Sequence, residues 1–217
     1  AGNIGVQIHH IAPIGSKEDV VWYLDAQSVA DIGEYLRTGS YPIEKIISIG
    51  GSSISEPTHV KIIKGTGLNA ILDGKLNSSN DVRIISGDIL SGETRSLEQG
   101  IRFYDEIVSV IPESTEREFL GWALPGLKTY SLSRTFLSTF LPKKSTLFNT
   151  SMNGSQRPII SFGRWESVLP MDILPEFLVK SILAKDIEEM EKLGIYECAE
   201  EDFALCSFVC QSKTDVS

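Results

Sequence analysis

Cysteine is scarce in this chain: three residues, Cys198, Cys206 and Cys210, in 217. An odd number without regular spacing excludes a disulfide scaffold and fits a reducing, cytoplasmic compartment. Histidine is equally sparse. His9, His10 and His59 are the only three, and the adjacent pair would point to opposite sides of a strand, which makes a poor metal site. No G-x-S-x-G elbow, H-E-x-x-H pair or C-x-x-C motif is present, so hydrolase, zinc and thiol-redox machinery are all without a signature.

Long apolar runs are missing too. No stretch approaches the roughly 18 to 20 residues that span a bilayer, and the first residues lack the basic and apolar regions of a signal peptide. The start at Ala1-Gly2-Asn3 has neither an initiator Met nor a helix-start signal, which predicts a fragment of a longer polypeptide. No Lys/Arg-rich run occurs, and 29 acidic against 20 basic residues give a net charge of −9. Phosphate-backbone binding is electrostatically opposed, so nucleic acid is excluded as a partner. What remains is a soluble globular protein with 41% hydrophobic residues, enough for a sizeable core.

The alternation of apolar patterns predicts three segments. In 1–51, Val20 to Ala26 reads as a strand, Val29, Ile32 and Leu36 as the stripe of a helix ending near Gly39, and Lys45 to Gly51 as a second, buried parallel strand. This βαβ unit looks like the end of a Rossmann-like α/β domain. In 52–115, strands at Thr58–Ile63, Val82–Ser86 and Ile107–Ile111 surround a short helix at Leu68–Gly74, the grammar of a β-grasp domain. In 116–217, a connecting layer with a strand at Phe119–Gly126 precedes helices. Asp172 is placed to cap the first, Asp186 to Glu189 form a capping box for the second with Gly194 as its stop, and Glu200 to Cys210 make the third. The fold class is α+β.

Two glycine turns, Gly65-Thr66-Gly67 and Gly50-Gly51, could expose amides to a phosphate or other anion, but plain chain reversals explain both. Trp122, Phe136, Phe140, Phe148 and Trp165, with Phe162, gather in the second half. They could build a core, a protein interface or a quinone-shaped groove, and the first five are the candidate partner or quinone contacts. No catalytic or metal-ligating residue is assigned. Cys206 and Cys210 would share one helical face as small buried hydrophobes. A cubane cluster needs four ligands, and Glu200 to Phe203 stand where close thiolates would be.

Several stretches carry a family resemblance: Val21-WYLDAQSVADIG-Gly33, Val82-RIISGDILSG-Gly92, Gly121-WALPG-Gly126, Leu147-FNTSMNG-Gly154, Leu169-PMDILPEFLV-Val179 and Leu205-CSFVCQSK-Lys213. They resemble the distal half of the A subunit of Na+-translocating NADH:quinone reductases. The tail is also similar to the cluster-bearing C subunit of Rnf electron-transport complexes, where the cysteines are complete. The resemblance implies a C-terminal helical domain of degenerate ferredoxin-like type and a β-grasp domain of the soluble-ligand-binding type. It implies a peripheral subunit on the cytoplasmic face of the bacterial inner membrane, docked on the other subunits of a sodium-pumping NADH:ubiquinone oxidoreductase. Activity would belong to the complex, flavins and the iron–sulfur centre to partner subunits; this chain would be structural, without its own redox centre, with ubiquinone as a candidate ligand. The alternative is an independent iron–sulfur electron-transfer protein holding a cluster through Cys198, Cys206 and Cys210 with a noncysteine ligand.

Overall fold

A computed structural model describes residues 2–77, 81–114, 119–141 and 147–217. The chain divides into two units, one of Ala1–Ile32 with Gly154–Ser217, the other of Gly33–Asn153. Its architecture is mixed α/β, with one open five-stranded sheet among the described residues.

The sheet lies in the second unit. Strands β1 (Glu44–Gly50), β2 (Thr58–Ile63), β3 (Val82–Ser86), β4 (Glu93–Arg95) and β5 (Ile107–Pro112) run in the order β2-β1-β5-β3-β4. Only β1 and β5 are parallel. Strand β1 buries Ile47 and Ile49 and leaves Ile46 exposed, the period-2 signature of a sheet with one covered face. The cover is a short helix whose Leu68, Ile71 and Leu72 meet Ile47, Ile49, Ile84, Val108 and Val110 in a single apolar cluster. Central β5 is buried on both faces from Val108 to Ile111, as two paired neighbours require.

Three expectations change here. Strand β1 does not form a βαβ unit with Val20–Ala26: it pairs antiparallel with β2, and Val20 to Ala26 contains no strand. Asp25 takes over instead, accepting the Ser28 amide at 2.7 Å to start the helix Ala26–Thr38, which Gly39 ends with φ +73°. That helix buries none of its residues, so the stripe of Val29, Ile32 and Leu36 is exposed. Phe119–Gly126 likewise forms no strand but holds a 3₁₀ turn at Gly121–Ala123.

The first unit is helical. It joins Ile4–Ile11 to helices at Pro175–Ala184, Ile187–Lys192 and Ala204–Val209. Its core contains Val6, Trp165, Leu169, Leu178, Phe203, Cys206 and Cys210. Asp186 caps the second C-terminal helix by accepting the Glu189 amide at 3.1 Å, and Gly194 follows it with φ +86°. Asp172 does not cap the first; Leu174 precedes it, with Pro175 supplying the preset φ of the opening turn. The Asp172 amide donates to His9 Nε2 at 3.1 Å instead.

Candidate functional site

The five aromatic candidates separate in space. Trp165 is 3% exposed and packs in the core of the helical unit, where its carbonyl accepts from the Cys206 thiol at 3.9 Å. The other four belong to the sheet-bearing unit. Trp122 sits on the 3₁₀ turn Gly121–Ala123 and Phe140 ends a second one, Leu137–Phe140, both rings exposed. Phe136 is half-buried, its ring resting where a side chain at Gly126 would stand. Phe148 meets Tyr130 edge-on with centroids 5.5 Å apart, and its carbonyl accepts the Ser52 hydroxyl at 3.4 Å.

These rings hang on a peptide that closes on itself locally. The Leu137 amide donates to Pro125 O at 2.9 Å and the Ser138 hydroxyl to Thr129 O at 2.6 Å, so residues 125–138 form a compact double turn. Elsewhere in this unit Thr150 Oγ1 donates to Glu113 Oε1 at 2.7 Å, on the carboxylate that Arg83 grips through Nε and Nη2 at 2.8 and 2.7 Å. The Thr150 and Arg83 hydrogen bonds hold the Glu113 carboxyl below the usual glutamate range.

The two glycine turns are reversals. In the first, Gly51 has φ +120° and a Cβ there would lie 2.1 Å from Val110 O, while the Ser53 amide donates to that same carbonyl at 3.1 Å. In the second, the Leu68 and Asn69 amides donate to Gln99 O and Leu97 O, both at 2.9 Å. No anion finds these donors vacant. An open groove of about 330 Å³ lies along β2 and the covering helix, between Val60, Ile62, Thr66, Ala70 and Lys75.

Sequence reasoning missed a polar network around buried Ser86. The Ser86 hydroxyl donates to Asp105 Oδ2 at 2.5 Å and accepts the Arg102 amide at 2.9 Å. Arg102 closes a two-pronged pair on Asp105 at 2.8 and 3.1 Å, and Arg95 binds Glu93 at 2.8 Å. Partial burial works against the Asp105 charge, but hydrogen bonds from Arg102 and Ser86 outweigh it and hold the carboxyl below the usual range. Only the sheet brings positions 86 and 105 together, and spacing gave no signal for it.

In the helical unit, Cys206 and Cys210 are 0% and 2% exposed and pack as small apolar residues. Burial, with the nearby Glu166 charge, pushes the Cys206 thiol up to about 12; burial, with Asp202 and Glu197, does the same to Cys198. In the metal-free chain both side chains are therefore protonated thiols at neutral pH. The described residues contain no group of three or more His, Cys, Asp or Glu side chains that could hold a metal ion. His9 and His10 lie on a helix rather than a strand, and both are engaged. His9 Nδ1–H donates to Glu197 at 2.5 Å while its Nε2 accepts from Asp172, and His10 Nε2 donates to Pro170 O at 3.0 Å.

Residues 46–96 match the family model described as the NQRA C-terminal domain, and residues 1–41 match the NqrA second alpha/beta domain. The A subunit of the Na(+)-translocating NADH-quinone reductase of Rhodopirellula baltica is 38% identical over 214 residues, 98% of this chain and 47% of the relative. Its counterparts in Neisseria meningitidis and Haemophilus influenzae match with the same identity and coverage. The chain spans about half the length of the curated relatives it matches. No helix among the described residues is long and apolar enough to cross a membrane. The homologues of this chain are thus the NqrA subunits of Na+-translocating NADH-quinone reductases, and nearly every residue of the chain takes part in that likeness.

Proposed function

We propose that this chain serves as the corresponding half of the NqrA subunit in a sodium-pumping NADH:ubiquinone oxidoreductase, with a structural role at the cytoplasmic periphery of the membrane. The observation that carries the reading is the 38% identity sustained over 98% of the chain, far beyond what a shared short motif would give. In this reading the other subunits are its partners and carry the flavins and the iron–sulfur centre. Ubiquinone is a candidate ligand, and Trp122, Phe136, Phe140 and Phe148 are the candidate contacts for it or for a partner subunit.

The finer fold assignments belong to the same proposal: the end of a Rossmann-like domain at 1–51, a β-grasp domain of the soluble-ligand-binding type at 52–115, and a connecting layer with a helical domain of ferredoxin-like descent at 116–217. The pairing of β1 with β2 favours drawing the first boundary ahead of Glu44. Relatedness to the cluster-bearing Rnf protein gains no support from the family models and relatives that match, which are all of NqrA.

The test is purification of the tagged chain, in its natural polypeptide, from solubilised membranes. Co-purification with flavin-containing subunits and Na+-stimulated NADH:quinone activity is the expected result. Recovery of the tagged protein alone, from membranes that retain the activity, would sink the reading.

A further inference from the structure

The segment 119–141 combines two properties seldom found together on a free surface. None of its residues is buried, and Phe119, Trp122 and Phe140 are 85%, 78% and 81% exposed, yet the hydrogen bonds between its two turns give it a definite shape. Among the described residues these rings belong to neither apolar core. An unstructured linker is excluded by the closure of Phe136 on Gly126.

Charge is distributed with equal asymmetry. From Phe119 to Trp165 the sequence holds six basic residues and no acidic one, while the remainder holds 14 basic and 29 acidic. Within the arm the charges are Lys128 and Arg134. Exposed Trp and Phe rings among leucines, with Lys and Arg and no carboxylate, match the composition that settles in the headgroup region of an anionic bilayer. A polynucleotide would satisfy the cations but leave the leucines in water.

We propose that the 119–141 arm docks on an anionic membrane surface, its aromatic rings at the headgroup–acyl boundary and Lys128 and Arg134 against lipid phosphates. The proposal deepens the peripheral-subunit reading and rests on it for where such a surface is met. Membrane affinity then comes from a folded loop rather than from a spanning helix.

The test uses the chain with Trp22→Phe, so that Trp122 is the exposed reporter and buried Trp165 a constant background. It is mixed with vesicles of phosphatidylcholine containing about a third phosphatidylglycerol, and with phosphatidylcholine alone. Expected results are flotation with the anionic vesicles, a blue shift, and quenching by brominated lipid. Lys128→Ala with Arg134→Ala should weaken binding to anionic vesicles about 25-fold, roughly fivefold per charge. Trp122→Ala with Phe140→Ala should abolish flotation without moving the unfolding midpoint. Folded protein that stays in solution with anionic vesicles overturns the proposal. So does concentration-dependent dimerisation that Trp122→Ala removes, because the arm then meets a second copy. Neither outcome bears on whether the chain is a subunit of the membrane complex, which the membrane purification decides separately.

Discussion

The carboxylate of Asp202 occupies the space in which a side chain at Gly5 would stand: a methyl group there would lie 1.8 Å from Oδ2 and 2.6 Å from Cγ. Gly5 is in the first turn of the helix Ile4–Ile11, so a buried carboxylate meets the electropositive end of a helix. The Asn3 side chain, donating to Glu201 O at 2.9 Å, fixes the same junction. Two segments about 200 residues apart in the chain are held by the absence of one Cβ.

Gly5→Ala is therefore expected to destabilise the helical unit. Helix propensity alone favours Ala by about 1 kcal/mol, but forcing apart a packed, buried contact costs about 1 to 3 kcal/mol or more. The net loss is expected to reach about 2 kcal/mol. Urea unfolding followed by circular dichroism measures it, and a variant more stable than the parent would show that Gly5 and Asp202 do not touch.

Acid titration should find Asp105. Its folded pKa is depressed below an unfolded value of about 3.9, so its contribution is complete above that pH and is lost as pH falls through the folded value. Asp105→Asn should flatten stability against pH on the acid side, and Ser86→Ala should weaken the same dependence. Identical acid limbs in parent and variant would assign the pH sensitivity elsewhere.

The alkaline limb belongs to the cysteines. A folded thiol pushed up to about 12, against about 8.5 unfolded, keeps its proton longer in the native state, so stability is full below about pH 8.5 and falls as pH rises toward 12. Cys206→Ala should shallow that fall. In the native protein at mild alkaline pH, Cys206 and Cys210 should resist a thiol reagent that reacts with all three cysteines after denaturation. Rapid modification of either without unfolding would contradict their core placement.

Gly126 offers a local test of the arm. It has φ +61°, and a Cβ there would fall 2.3 Å from the Phe136 ring. Gly126→Ala should open the double turn and speed tryptic cleavage after Lys128 and Arg134 several-fold, with sheet stability unchanged. Phe136→Ala should produce the same cleavage pattern.

Much of the secondary structure was legible residue by residue. Thr58–Ile63 and Val82–Ser86 coincide with β2 and β3, and the helix ending at Gly39 and the Asp186 cap stand where turn and cap chemistry put them. These depend on neighbours within about four positions. Val20–Ala26 and Phe119–Gly126 misled because β-branched and aromatic residues form strands only where another strand pairs with them, and neither segment is paired. The strand Glu93–Arg95 and the helix Ile4–Ile11 gave too short or too weak a pattern to be seen. For the candidate contacts, composition found the exposed rings of Trp122 and Phe140 but could not separate them from Trp165, whose burial is decided by distant helices.

By itself the sequence determined the likeness to NqrA, the capped and glycine-stopped helices, and the cysteine spacing that puts Cys206 and Cys210 one turn apart. All of these are fixed by which residues stand near one another in the chain. Only tertiary structure decided that β1 joins β2 and β5, that Asp202 fills the place of a Gly5 side chain, that Asp105 and Arg102 close on Ser86, and that Phe136 seals on Gly126 while Trp122 and Phe140 face outward. Those outcomes turn on burial and close contact between residues distant in sequence, where a hydrogen bond or a missing Cβ is worth a few kcal/mol and local preference is worth less.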